Sequence, residues 1–376
     1  MAGILAVVLV VFIVMMGFSL LFPILPFWAL NLGATPFEIG LIFSAYPVAQ
    51  FIAAPLWGKF GDRFGYKWGI AVGTLGFAIT SFLIPLVPAV WYLILVRFLG
   101  GLLSSAALPS SSAYVGAASP PDKVVRNFGF YGAALGSGMV FGPFIGGLAA
   151  NFGLVVPFVI SGVIGLLAFV VALLTVRNLK ASGRGRRLSI RRLPLLKKVL
   201  VLMGFVGMLI MVNFEAILAL LIKDRYGLGA REVGYLMGVA GLFGAAVQGN
   251  MGRIGRYLSE RRAIALGFGV AAAVSLLVPL APNFLILSAL VVILVMASGI
   301  TQPSVLSLLS RGTEGRGAIM GTYQSATSLG RIVGPPVAGF LYEVHYALPF
   351  AWAAALSLAT VVSWSFYVRH LDPHKV

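Results

Sequence analysis

The 376-residue chain has no cysteine, only three histidines and only ten acidic residues, and just 10% of it is charged. Without thiols there are no disulfide staples, thiolate metal sites or cysteine nucleophiles. Three histidines and so few acids leave no cluster for metal or acid–base catalysis. No G-x-x-x-x-G-K-[ST] segment is present either, so direct drive by ATP would need a separate partner. The expectation is therefore no enzyme, no cofactor and no metal. The shortage of charge also excludes a soluble fold, because a globular domain keeps roughly a quarter of its residues charged to face water.

What fills the chain is apolar: 60% of the residues are hydrophobic and the mean hydropathy is +1.02. They come in long runs, each able to cross a hydrocarbon core of about 30 Å with about 20 residues. Spans are expected at 4–30, 36–57, 69–88, 90–118, 127–150, 153–176, 199–222, 230–251, 263–281, 283–310, 317–341 and 348–368. The first run lacks a basic leader and continues to about Leu30, too long for a signal-peptide core, and reads as a membrane helix.

The net charge of +17 would suggest nucleic acid if it formed a patch, but the basic residues occupy alternate loops. Lys59, Arg63, Lys67, Lys123, Arg126, a cluster from Arg177 to Lys198, Arg253, Arg256, Arg261, Arg262, Arg311, Arg316, Arg369 and Lys375 fall on one side; only Lys223, Arg225 and Arg231 fall on the other. This asymmetry predicts a multi-pass protein of the cell (inner) membrane with both termini cytoplasmic. Anionic lipid headgroups, not nucleic acid, are the expected partner of the basic face.

The polar stretch 177–198 reads as a basic cytoplasmic linker between a first six-helix bundle, 1–176, and a second, 199–376. A shift of 194 residues lays Glu38-Ile39-Gly40 on Glu232-Val233-Gly234, Gly58 on Gly252, Gly61 on Gly255 and Pro109 on Pro303. The expected fold is an all-α membrane protein of twelve transmembrane helices in two pseudo-symmetric six-helix bundles. Such halves build a midplane site that opens alternately to either side.

Between the second and third spans stand Gly58, Gly61, Asp62, Arg63, Gly65 and Lys67. Glycines there let helix ends approach closely, while Asp62 can meet a neighbouring helix N-terminus. The segment resembles the G-x-x-x-D-R-x-G-R-K loop of the major facilitator superfamily, with Tyr66 in place of a basic residue. In the fourth span Arg97-Phe98-Leu99-Gly100-Gly101 resembles that family's R-x-x-x-G motif, associated in exporters with proton coupling. Gly138, Gly142, Pro143, Gly146 and Gly147 in the fifth span are similar to the G-x-x-x-G-P-x-x-G-G pattern of its drug and proton antiporter branch, and Gly330 to Gly339 form a degenerate copy in the eleventh. Four-residue glycine spacing makes a flat helix face, and the proline bends the helix.

Glu215 is the only carboxylate well inside a span. It is a proton carrier or one member of a structural ion pair with Arg97 or Arg331. Glu38, in contrast, follows Thr35-Pro36-Phe37 and reads as the acid of a capping box. The resemblance implies a cavity lined by the first, fourth, seventh and tenth helices, and so by Met15, Phe18, Phe22, Ser104, Met208, Met211, Asn213 and Gln302. Methionine and aromatic surfaces suit a lipophilic or amphipathic ligand. The expectation is a monomeric secondary transporter that exports such small molecules against protons. A sugar, metabolite or lipid carrier of the same fold, or a membrane sensor that does not transport, are the alternatives.

Overall fold

The structure, a computed structural model, describes residues 2–120, 122–179, 194–311 and 316–371. Most of the linker expected at 177–198, the expected cytoplasmic Lys375 and the side chain of Asp62 lie outside the described residues.

Lipid offers the backbone no hydrogen-bond partner, so a spanning segment must satisfy its own N–H and C=O groups. The described chain accordingly runs as fifteen α-helices. They are α1 Ala2–Leu20, α2 Leu25–Asn31, α3 Pro36–Phe64, α4 Tyr66–Leu83, α5 Val90–Ser104, α6 Ala107–Ala118, α7 Val124–Ala150 and α8 Val156–Thr175; then α9 Leu195–Tyr226, α10 Ala230–Gly249, α11 Met251–Tyr257, α12 Glu260–Leu277, α13 Phe284–Ser310, α14 Arg316–Val344 and α15 Leu348–Phe366. Helix stands at each of the twelve places where the sequence predicts a span. Among the described residues, ten spans are long and apolar enough to cross a membrane. The other two places are α10 and α14, where charged and amide side chains interrupt the apolar run.

Local chemistry explains the breaks. Pro23 has no N–H to donate, and the turn at 21–24 separates α1 from α2 within the single span Gly3–Asn31. Pro109 likewise cannot donate to the carbonyl of Ser105, and α5 gives way to α6 there. At the start of α3 the predicted capping box is present: Glu38 N donates to Thr35 Oγ1 (3.3 Å), and Thr35 N donates to Glu38 Oε2 (2.8 Å).

Contacts divide the chain into two compact units, Met1–Gly183 with Leu228–Gly238, and Arg184–Gly227 with Val239–Val376. In the first, α1 packs along α7 and α8, α3 along α5, and α4 along α8. Its core joins Val7, Val11 and Val14 of α1 to Ile70, Tyr114, Ala134 and Ala168. In the second, α9 packs along α14, and α12 along α13 and α15. The repeat in the sequence thus recurs in the packing, since the first and fifth spans of each unit lie together.

Candidate transport site

The glycine motif of α7 permits the α1–α7 contact. A Cβ on Gly138 would lie 2.7 Å from Met15 Cβ and 2.7 Å from the Phe12 carbonyl. One on Gly142 would meet Ser19 Oγ and stand 2.5 Å from the Met16 carbonyl, and one on Gly146 would meet the Leu20 carbonyl. Three glycines four apart therefore carry one bare face along a turn-by-turn track on α1. Ser19, fully buried, fixes the register by donating to the carbonyls of Gly138 (3.0 Å) and Met15 (2.8 Å). Gly147 faces a different neighbour: a Cβ there would stand 2.9 Å from the Arg231 carbonyl and 3.0 Å from Gly234 Cα, at the start of α10. The degenerate copy does the same for α14 on α9, where Gly330 lies against Phe205 and Met208 and Gly334 against Leu209 and Val212.

The loop between the second and third spans is a one-residue turn. Gly65, at φ +97°, ends α3 and begins α4, a conformation that favours glycine. The turn is held from the segment after α8: Asn178 Nδ2 donates to the Phe64 carbonyl (2.9 Å), and Tyr66 N donates to the Leu179 carbonyl (2.9 Å). Close approach is not general in this motif, however. Nothing lies within 4 Å of a Cβ built on Gly58, and one on Gly61 would make only ordinary contact with Tyr66 at 3.7 Å. The tight glycines are Gly65, against the Asn178 side chain, and, further on, Gly69 and Gly73, against Ser110 and Ala107 of α6. Arg63 is exposed with its guanidinium 5.3 Å from the Phe64 ring, and Lys67 is half-buried.

Arg97 on α5 is 6% exposed. Its guanidinium carbon stands 5.0 Å from the ring centre of Tyr46 on α3 and 6.0 Å from that of Phe18 on α1. Desolvated cation–π contacts of this kind are worth about 2 kcal/mol. Tyr46 is hydrogen-bonded to Ser104, one of the expected lining residues, which in turn donates to the Gly100 carbonyl. Sequence reasoning missed Tyr46 because it lies on the second span, outside the four helices taken to line the cavity. A tyrosine in the apolar middle of a span was the available signal.

Glu215 is half-buried on α9, and Arg331, half-buried on α14, acts on it electrostatically. Among the described residues the two ion pairs within 4 Å are Arg231–Glu232 and Arg311–Glu260, so Arg331 acts on Glu215 from beyond contact.

The expected lining residues fall into different settings. Phe18 and Phe22 form an edge-to-face pair at 5.1 Å, and Phe18 reaches Tyr46 at 5.0 Å. Met15 and Met208 are half-buried and turn their Cβ atoms to the glycines of α7 and α14. Met211 is half-buried and Gln302 exposed, with Gln302 hydrogen-bonded to Tyr323. Asn213 does not fit the expectation of a lining group. It is fully buried and donates to the Pro349 carbonyl of α15 at 3.2 Å, so it braces two helices.

The sequence model of the Major Facilitator Superfamily matches residues 7–334. Over 360 residues the chain is 27% identical to the quinolone resistance protein NorA of Staphylococcus aureus (strain MSSA476), covering 94% of this chain and 93% of that protein. It is 25% identical over 366 residues to multidrug resistance protein 1 of Bacillus subtilis (strain 168), covering 94% of each. In three dimensions it is similar to a bacterial homologue of the human lysosomal transporter Spinster, with a TM-score of 0.78 at 15% identity over 97% of this chain and 95% of the other. With the family matched along most of its length and its helices packed in this way, the chain belongs to the Major Facilitator Superfamily and is a multi-pass membrane transporter of small molecules, not an enzyme.

Proposed function

We propose that this transporter exports hydrophobic or amphipathic small molecules across the cell membrane in exchange for protons. The observation that carries the coupling is Glu215: a carboxylate in the middle of a span, half-buried, under the influence of Arg331 but outside ion-pair contact with it. An acid at that depth exchanges protons usefully when a nearby cation steadies its charge without locking it in place. Similarity along 94% of the chain to proteins named for quinolone resistance and multidrug resistance supports drug-like cargo. The bundles 1–176 and 199–376, joined by the basic linker 177–198, work by alternating access, and one copy of the chain suffices. The termini and basic loops face the cytoplasm and its anionic lipids. Gly58, Gly61, Asp62, Arg63, Gly65 and Lys67 act as the cytoplasmic switch, and the α7 motif from Gly138 to Gly147 as the packing element around which the first bundle turns.

The test is transport of a varied substrate panel by proteoliposomes with an imposed pH gradient. The wild-type protein drives uptake or release only with the gradient. Glu215→Gln, which mimics the protonated acid, loses gradient-driven transport yet binds substrate. Normal proton-driven transport by Glu215→Gln would remove Glu215 as the carrier, and gradient-independent transport by the wild type would remove proton coupling itself.

A further inference from the structure

Helix α14 presents three unlike faces. Ile319, Tyr323, Thr327, Gly330 and Gly334 are buried, and the two glycines lie on α9. Leu329, Val333, Phe340 and Val344 are exposed and apolar, as a lipid-facing stripe requires. The third face is polar and open. Gln324 and Ser325 are exposed, Ser328 and Arg331 are half-buried, and nothing lies within 4 Å of a Cβ built on Gly321. These positions recur every three or four residues and so share one side of the helix. An amide or hydroxyl turned to hydrocarbon leaves its hydrogen bonds unmade, so a polar face at membrane depth, set apart from the apolar stripe, is one that meets water. The face also stops. From Ile332 to Leu341 no side chain carries a polar group, and Arg331 stands about 15 Å along the helix from Gly321 at the usual rise per residue.

At the end of this face Arg331 acts electrostatically on Glu215 of α9. Among the described residues neither makes a hydrogen bond or a contact ion pair with the protein, and both are half-buried. The other helices packed along α9 are α13 and α15, which carry no charged residue. Helix α14 adds only Arg316 and Glu343 at its ends, and the remaining charges of α9 lie at its own ends. Two opposite charges so placed have each other and water. Ser325 and Ser328 donate their hydroxyl protons to the carbonyls of Gly321 (3.0 Å) and Gln324 (2.8 Å), which leaves their oxygens free to accept from water. We propose that the polar face of α14, from Gly321 through Gln324, Ser325 and Ser328 to Arg331, is a one-sided aqueous lane by which the proton of Glu215 leaves for the cytoplasm. The Glu215 O–H bond breaks, the carboxylate remains under the influence of Arg331, and the proton passes to water and then from water to water toward the start of α14. Arg331 closes the lane, since a fixed cation repels a travelling proton. The eleventh span is not among the four helices that the family resemblance implies as cavity lining. The lane rests on the coupling role of Glu215 and the orientation proposed above, and adds the route.

Single cysteines at Gln324, Ser325 and Ser328, with controls at Leu329 and Val333, test the lane in inside-out membrane vesicles treated with an impermeant methanethiosulfonate reagent. Only the thiolate reacts, and a thiol in hydrocarbon stays protonated, so the three lane positions should react at least about tenfold faster than the two controls. Equal labelling of all five, or none at the lane positions, would overturn the lane and leave Glu215 a carrier. In proteoliposomes with ethidium as the probe, Gln324→Leu combined with Ser328→Ala should slow gradient-driven flux severalfold. Exchange of labelled for unlabelled ethidium at equal pH requires no proton to leave and should continue at the wild-type rate. Unchanged gradient-driven flux would overturn the route, and equal loss of flux and exchange would mark the two residues as structural and overturn it as well. Normal proton-driven flux in Glu215→Gln would instead remove the carrier, and the absence of ethidium flux in the wild type would count against the export reading. The labelling pattern does not depend on Glu215 or on ethidium, so it tells failure of the lane from failure of either reading.

Discussion

At the scale of single residues, polar side chains within one turn of one helix do different work. Asn213 and Glu215 are two positions apart on α9, yet Asn213 is sealed between helices and Glu215 is half-buried within reach of a distant cation. The Asn213 amide spends its donor on the Pro349 carbonyl, and its carbonyl oxygen has no partner. Interhelical hydrogen bonds in membranes contribute about 0.6 kcal/mol on average. Asn213→Ala should therefore lower thermal stability modestly, by about 1 kcal/mol at most, and leave substrate affinity unchanged. A loss of affinity with unchanged melting would return Asn213 to the cavity wall.

At the scale of elements, the glycine tracks decide which helices touch. Leucine at Gly142 would collide with the Met16 carbonyl and Leu20 N of α1, which are backbone atoms and cannot rotate aside. Overpacking of this sort costs about 1–3 kcal/mol and forces α1 and α7 apart, whereas membrane insertion follows hydrophobicity and is indifferent to the contact. Gly142→Leu should thus reach the membrane at normal levels and fail to transport in a flux assay, and wild-type flux would refute the packing role. Gly58→Ala should be harmless to folding by comparison, since nothing stands within 4 Å of the added carbon.

At the scale of the whole molecule, orientation rests on the distribution of Lys and Arg. A chain without cysteine is its own blank for labelling. Single cysteines at Ser182 and Asn283 should react with an impermeant thiol reagent from the cytoplasmic and outer sides respectively, because the positive-inside bias applies to the short loops on either side. Reversed reactivity would invert the topology, and with it the assignment of the turn at Gly65 to the cytoplasmic side.

The sequence by itself determined whatever depends on neighbours along the chain. Each span closes its own backbone hydrogen bonds, so its place follows from local apolarity, and α10 and α14 were found even though they are the least apolar. The Thr35–Glu38 box was legible for the same reason. The tertiary structure alone decided which side of each helix meets which partner. A helix apolar all round carries no stripe to fix its rotation, so nothing local announced that Asn213 would find a carbonyl 136 residues away. Nor did anything local announce that Tyr46 would lie beside Arg97, or that Gly65 and not Gly58 would be the glycine its loop requires.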